Sequence, residues 1–387
     1  MALDPSEAAG IPDELIAMYT DAELALLALM VDAITRGIDS PEWAAQQPAE
    51  LLKFRAQAQT IAAQLQAAMP AMVGEALDEA NGRAVEAADE DVKDVPKVAP
   101  IPKPDSDEAK RAAARAKAAK IAAWKTLSEF TAAIPKAAEQ AMVDVTGQIQ
   151  VRNREVPRIG PATGKLGGAL TPEGTRLDAA QQALDILAKR GITGFKDASG
   201  RNWSLTSYIE MKSRTIVNNE LREANAERML DRGQNLVVIS SHSRSAPQCQ
   251  PYEGQVISLD GETGTVIRPN ATGGKAVKVK IKATMADARS KGLFHPNCGH
   301  TSSSYVPGAS KTFTTELDLA GYKATQDQRA LERDLRELKR AQALASNPLA
   351  RKAALAKVKA QQAAIAAHTK QHNLKRRTRR ESPNVAR

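Results

Sequence analysis

The sequence predicts a mainly α protein with a small α+β module, in which long helices at both ends flank a compact domain with short antiparallel strands. Three observations carry this. Aromatics are only 3% of the 387 residues while alanine fills the periodic stretches, a composition that builds long helices with thin seams rather than one thick core. β-branched runs with glycine turn signals cluster between about Leu236 and Ile267. Both cysteines, Cys249 and Cys298, and three of the five histidines, His242, His295 and His300, fall between Val237 and Pro307. Polar chemistry is therefore concentrated in that module.

Residues 1–90 form an acidic N-terminal helical region. Leu15, Ile16, Tyr19, Leu24, Leu27, Met30, Val31 and Ile34 recur at helical spacing, and Ser40-Pro41 marks a break and a fresh start. A second helix is expected from about Ala49 to Ala88, seamed by Leu52, Ile61, Leu65, Met69 and Val73, with Pro70 as a kink or division. Residues 91–106 hold four prolines among charges and read as a semi-extended linker. Residues 107–175 comprise a basic helix, from about Asp107 to Ala133, and a Gly/Pro-rich loop. The helix cations Lys110, Arg111, Arg115, Lys117, Lys120 and Lys125 suit either a solvated face or one turned to DNA or a partner. The fragment Gly160 to Lys165 is one residue short of a phosphate-binding loop and has Leu166 where a hydroxyl should reach magnesium, so it reads as plain loop.

The α+β module spans residues 176–310. It opens with a helix near Arg176 to Arg190, stopped by Gly191, and a short hairpin from Gly194 to Trp203. A long helix from about Ser204 to Arg232 stops at Gly233, and strands follow at Leu236 to Ser240, Gly254 to Ser258 and Thr265 to Ile267. Residues 311–373 are a C-terminal helical arm that Pro348 splits in two. Residues 374–387 are a basic tail, expected to be disordered.

Charge is strongly segregated. Residues 1–98 carry 6 Lys/Arg against 18 Asp/Glu, a balance of −12, and with a net charge of +9 that leaves +21 for the remainder. Such a split suggests one end packing on protein and the other meeting polyanion. Two cysteines are too few for a disulfide framework, the start MALDPSEAAG lacks the pattern of a signal peptide, and no apolar run approaches the ~20 residues that span a bilayer. These features describe a soluble protein made in a reducing cytoplasm.

His242, Cys249, Cys298 and His300 supply a Cys2His2 set, with His295 to spare, if the chain between the two pairs returns on itself. The spacings HxxxxxxC and CxH are not those of a standard zinc finger. Structural zinc is one reading, a metal-free hydrogen-bonded knot a second, and a thiol nucleophile with a histidine base a third. No paired-carboxylate, HExxH or GxSxG pattern occurs. Lys375, Arg376, Arg377, Arg379 and Arg380 lie within six positions, a footprint suited to sequence-independent phosphate contact, without aromatics for base stacking.

Several runs resemble the phage minor capsid protein 2 family, relatives of the Mu F-like minor head proteins of tailed phages. Tyr19, Asp21, Ala22 and Glu23 are similar to the family's opening element. Thr193-Gly194-Phe195 and Gly200 through Leu205, with Tyr208, Glu210, Met211, Arg214 and Thr215, are similar to its middle motif. Ile239 to His242, Pro251 to Val256 and Pro296 to His300 resemble its most diagnostic region, although Gly299 stands where an arginine is usual. Tyr322, Gln326, Gln328, Arg329, Glu332, Arg333, Arg336 and Lys339 resemble the closing helix.

The resemblance covers nearly the whole chain and implies a MuF-like module, a structural virion component and no enzyme. Implied partners are the portal protein, the major capsid protein and packaged double-stranded DNA, with no membrane. The implied location is the capsid interior or portal vertex, after synthesis in the host cytoplasm, with a role in head morphogenesis or genome delivery. Two other classes stay open on the residues themselves: a thiol- or metal-dependent hydrolase built on the Cys/His module, and a sequence-independent nucleic-acid-binding protein.

Overall fold

A computed structural model describes residues 10–96, 98–155, 176–196, 200–296 and 298–381. Helices dominate: α1 (Asp13–Thr35), α2 (Trp43–Val92), α3 (Asp107–Glu155), α4 (Arg176–Arg190), α5 (Leu205–Asp231), α6 (Met285–Ser290), α7 (Leu319–Ala343), α8 (Pro348–Gln371) and α9 (Thr378–Glu381). The strands are β1 (Thr193–Lys196), β2 (Asn202–Ser204), β3 (Leu236–Ile239), β4 (Val256–Ser258), β5 (Gly264–Arg268), β6 (Val277–Thr284) and β7 (Ser302–Ser304). The fold is mainly α with an α+β part. Two helices are longer than their sequence patterns suggest: α2 continues through Pro70, and α3 runs past Ala133 and through Pro135. Each proline removes only one ladder donor, and alanine-rich flanks propagate the helix on either side.

The chain forms two compact units, each assembled from separated stretches. One comprises Met1–Leu15, Met69–Leu127 and Glu210–Asp327; the other comprises Ile16–Ala68, Ser128–Ile209 and Gln328–Arg387. The acidic N-terminal region thus contributes to both.

The second unit gathers most of the chain's few aromatic rings. Phe130 of α3 stacks on Tyr208 of α5 at 4.7 Å between centroids, with Phe195 of β1 at 4.5 Å and Tyr19 of α1 at 5.7 Å. The Tyr19 hydroxyl shares a 2.5 Å hydrogen bond with Thr131. Burial lifts the Tyr19 pKa to about 12, with the Thr131 bond pulling the other way. Glu23, one helical turn on and 1% exposed, accepts from the Ile192 N–H at 3.2 Å and from the Thr206 hydroxyl. Tyr19 and Glu23 of the opening element thus fasten α1 to α3 and to the chain entering α5. Trp43 donates from Nε1 to the Ile34 carbonyl at 2.8 Å, closing the α1–α2 turn. The α7–α8 hairpin is seamed by Leu335, Val358 and Ile365, and Asn347 caps α8 ahead of Pro348.

The first unit carries a five-stranded sheet in the order β5-β6-β4-β3-β7. Most neighbours are antiparallel, but β4 and β6 run parallel, so the strands do not form a simple meander. Strand β6, which sequence reading passed over, alternates buried Val279, Ile281 and Ala283 with exposed lysines. The sheet buries Val237, Ile239 and Ile257 on one face and Leu236, Val238, Val256 and Ile281 on the other. Against it α5 and the end of α2 pack through Met229, Ala88 and Val92. Asp89 receives Arg228 at 2.7 and 2.9 Å and Arg232 at 2.5 Å, tying the two helices by charge. On α3, Arg115 bonds Glu220 and Glu227, Arg111 reaches Asp231, and Lys120 reaches Asp78. Those cations of the basic helix serve internal pairs rather than an open polyanion-binding face.

Candidate functional site

Strand register brings the cysteines and histidines together. Because β3 pairs antiparallel with β7, Ile239 opposite Ser302, the residues just beyond β3 face those just before β7. The Ser240 N–H donates to the Thr301 carbonyl and the Thr301 N–H to the Ser240 hydroxyl, both at 2.9 Å. A bridge between Ile239 and Glu253 draws in the third segment, a single 3-10 turn at Gln250–Tyr252 that follows Cys249. Gly254 takes φ +67, and its N–H returns to the Ile239 carbonyl at 2.9 Å.

At the centre Cys249 Sγ and Cys298 Sγ are 3.7 Å apart, and Cys298 Sγ is 3.2 Å from His300 Nδ1. The other ring nitrogen, His300 Nε2, is 2.7 Å from Glu253 Oε1. Glu253 also accepts the His242 N–H at 3.3 Å and the Thr315 hydroxyl. Cys249, Cys298, Glu253 and His300 are all 3% exposed or less. His242 is exposed and lays its ring 4.2 Å from that of His300. His295 turns to the Pro296 carbonyl at 2.8 Å and stays outside the group. Of the four residues the sequence proposed as ligands, three have donor atoms within 4.8 Å of one another, and His242 borders them.

Two residues that sequence reasoning did not assign to the site complete it. Glu253 belongs to the Pro251 to Val256 run. Arg222 of α5, 7% exposed, donates to the Cys298 carbonyl at 2.7 Å and lies 4.4 Å over the Phe294 ring. Nothing in its helical spacing distinguishes Arg222 from other α5 cations. Phe294 itself holds φ +62, a conformation costly for a bulky side chain, in the loop that delivers Cys298.

The electrostatics follow from burial and neighbours. The hydrogen bond from Cys249 lowers the Cys298 thiol pKa, burial opposes this, and His300 lowers it further. Cys249 is pushed up by that same bond and by burial. Burial works against a charged His300, yet Cys298 and Glu253 outweigh it and hold the imidazole above its ordinary value. Burial brings Arg222 down to about 10. The sulfurs thus sit in a buried, polarised setting, and burial of Cys298 leaves its sulfur little room to meet a bulky substrate.

The C-terminal cations are placed differently. Lys375 and Arg377 are exposed. Arg376 makes a bidentate pair with Glu381 at 2.6 and 2.7 Å, and Arg380 lies 3.9 Å from the buried Glu332 carboxylate of α7. Arg336 and Lys339 donate to the Arg380 and Glu381 carbonyls at 2.6 and 2.7 Å. Residues 374–381 of the expected tail therefore lie along α7. Residues 382–387 and the side chain of Arg379 fall outside the described residues, as does the loop at 156–175.

No helix among the described residues is long and apolar enough to cross a membrane. No curated protein and no solved structure matches the chain. The profile of the phage minor capsid protein 2 family matches residues 3–152 and 163–370. That span includes the aromatic cluster, the Glu23 anchor, the Cys/His knot and the α7–α8 hairpin. The chain therefore belongs to the phage minor capsid protein 2 family and is a structural component of the phage head.

Proposed function

We propose that this head protein works at the capsid interior or portal vertex, in head morphogenesis or genome delivery. Its acidic N-terminal region docks on portal or major capsid protein, and its basic remainder meets packaged double-stranded DNA. The observation that carries this reading is the charge split, −12 over residues 1–98 against +21 beyond. Lys375, Arg376, Arg377, Arg379 and Arg380 are the proposed phosphate contacts. Five neutralised phosphates would give log K a slope near −4.5 against log salt. Two of the five already have carboxylate partners, so a slope of about −3 is expected.

Truncation at residue 373 tests the DNA half: duplex affinity should fall uniformly across sequences and the salt slope should flatten. An unchanged slope would remove the tail from the proposal. Cross-linking mass spectrometry of purified particles tests the docking half, and links from residues 1–90 to portal or capsid protein are expected.

A thiol-hydrolase reading draws on the line Cys298–His300–Glu253, and the burial of all three weighs against it. Turnover of ester or amide substrates that disappears in a Cys298→Ala variant with an intact fold would favour it.

A further inference from the structure

We propose that Cys249, Cys298 and His300 hold one tetrahedral divalent ion of the zinc class, with His242 as the fourth ligand and Glu253 fixing the His300 ring. This is independent of the head-protein reading and stands on geometry. Two thiolates bound at about 2.3 Å to a tetrahedral ion lie about 3.8 Å apart, and a thiolate and an imidazole nitrogen about 3.5 Å apart. The observed separations are 3.7 Å between the sulfurs and 3.2 Å from Cys298 Sγ to His300 Nδ1. Two edges of one face of a ligand tetrahedron are thus already near their bonded lengths, and all three donor atoms lie within 4.8 Å of one another.

The surroundings match what a bound ion requires. A metal-bound histidine characteristically donates its other ring N–H to a carboxylate, which fixes tautomer and orientation. His300 Nε2 does so to Glu253 at 2.7 Å, leaving Nδ1 for the ion. Glu253 is itself held by the Thr315 hydroxyl and the His242 N–H. Charge closes as well: two thiolates balance a divalent ion, and the buried Arg222 guanidinium donates to the Cys298 carbonyl beside them. A pair of thiolates selects zinc-like ions over magnesium or calcium, which prefer oxygen ligands.

His242 supplies the fourth corner. Its Nδ1 faces the Ser243 carbonyl at 3.2 Å, and Nε2 lies toward Gly299, 3.6 Å from where a side chain there would begin. The ring is exposed on one side and lies 4.2 Å from that of His300, so it already borders the three donors. Such an ion would clamp the loop after β3 to the loop before β7, joining segments about fifty residues apart in sequence.

The test uses the full chain. Protein expressed with zinc and purified without chelator should carry about one zinc per chain by elemental analysis. Cobalt-substituted wild-type protein should show the intense visible bands of four-coordinate cobalt and a thiolate charge-transfer band in the near ultraviolet. Cys298→Ser should lose both. Because that variant could fail to fold, two milder changes accompany it. His242→Ala, on an exposed ring, and Glu253→Gln should each weaken zinc binding about 10- to 100-fold in chelator competition while circular dichroism is unchanged. Zinc well below one per chain would overturn the proposal, as would a six-coordinate cobalt spectrum. So would a Cys249–Cys298 disulfide in protein purified under reducing conditions.

Discussion

Gly254 and Gly299 both lie in family-like motifs beside the Cys/His knot, but the backbone asks different things of them. Gly254 sits at φ +67, and a Cβ there would meet the Phe313 carbonyl oxygen at 2.4 Å. Gly254→Ala should therefore destabilise the protein by about 2–4 kcal/mol in urea melts, since both the conformation and the space are wrong. A Cβ at Gly299 would find only ordinary contact with His242 at 3.6 Å, and the backbone there is unstrained. Gly299→Ala should melt within about 0.5 kcal/mol of the parent. Glu23 is the other residue with a disproportionate role. Glu23→Ala removes the acceptor of the Ile192 N–H, and a loss of about 2–3 kcal/mol is expected by thermal or chemical denaturation.

Helix ends and helix pairs explain stability at the next scale. The Asn347 side chain accepts from the Ala350 N–H at 2.8 Å and opens α8 after the break that Pro348 imposes. Asn347→Ala should cost about 1 kcal/mol, read as a lower urea midpoint at constant m-value. Asp89 of α2 is the shared acceptor for Arg228 of α5 and Arg232 just beyond it, both largely buried. Removing it leaves two guanidinium groups short of a partner, so Asp89→Ala should cost about 3–5 kcal/mol, more than loss of either arginine's pair alone. Differential scanning calorimetry on the three single variants would show that ordering.

The two units interleave along the chain, and that has a consequence for fragments. Residues 1–90 include α1 and nearly all of α2, but partners of the later part of α2 lie elsewhere in sequence. Asn225 donates to the Ala84 carbonyl at 3.2 Å, and Arg228 and Arg232 hold Asp89. A fragment of residues 1–90 should be helical by circular dichroism yet melt without cooperativity, because its narrow alanine seams cannot offset chain entropy alone. A sharp two-state transition would show that the acidic region is a domain in its own right. Removing residues 373–387 should leave the sheet unit's melting unchanged, since the tail's observed partners are on α7.

Local pattern was enough for helix identity, the break at Ser40-Pro41, the stop at Gly191, the split at Pro348 and the concentration of cysteine and histidine in one module. These depend on spacing and on the backbone limits of glycine and proline, which act over a few residues. Motif resemblance added the family. Only the tertiary structure decided that Cys249, Cys298 and His300 meet, because the pairing of β3 with β7 is a long-range choice that no local pattern encodes. It likewise decided that Glu253 and Arg222 complete the knot, and that Arg115 of α3 and Arg376 meet carboxylates while Lys375 and Arg377 stay exposed. A charge run records how many cations there are. Whether each meets an acid or water depends on which helix folds beside it.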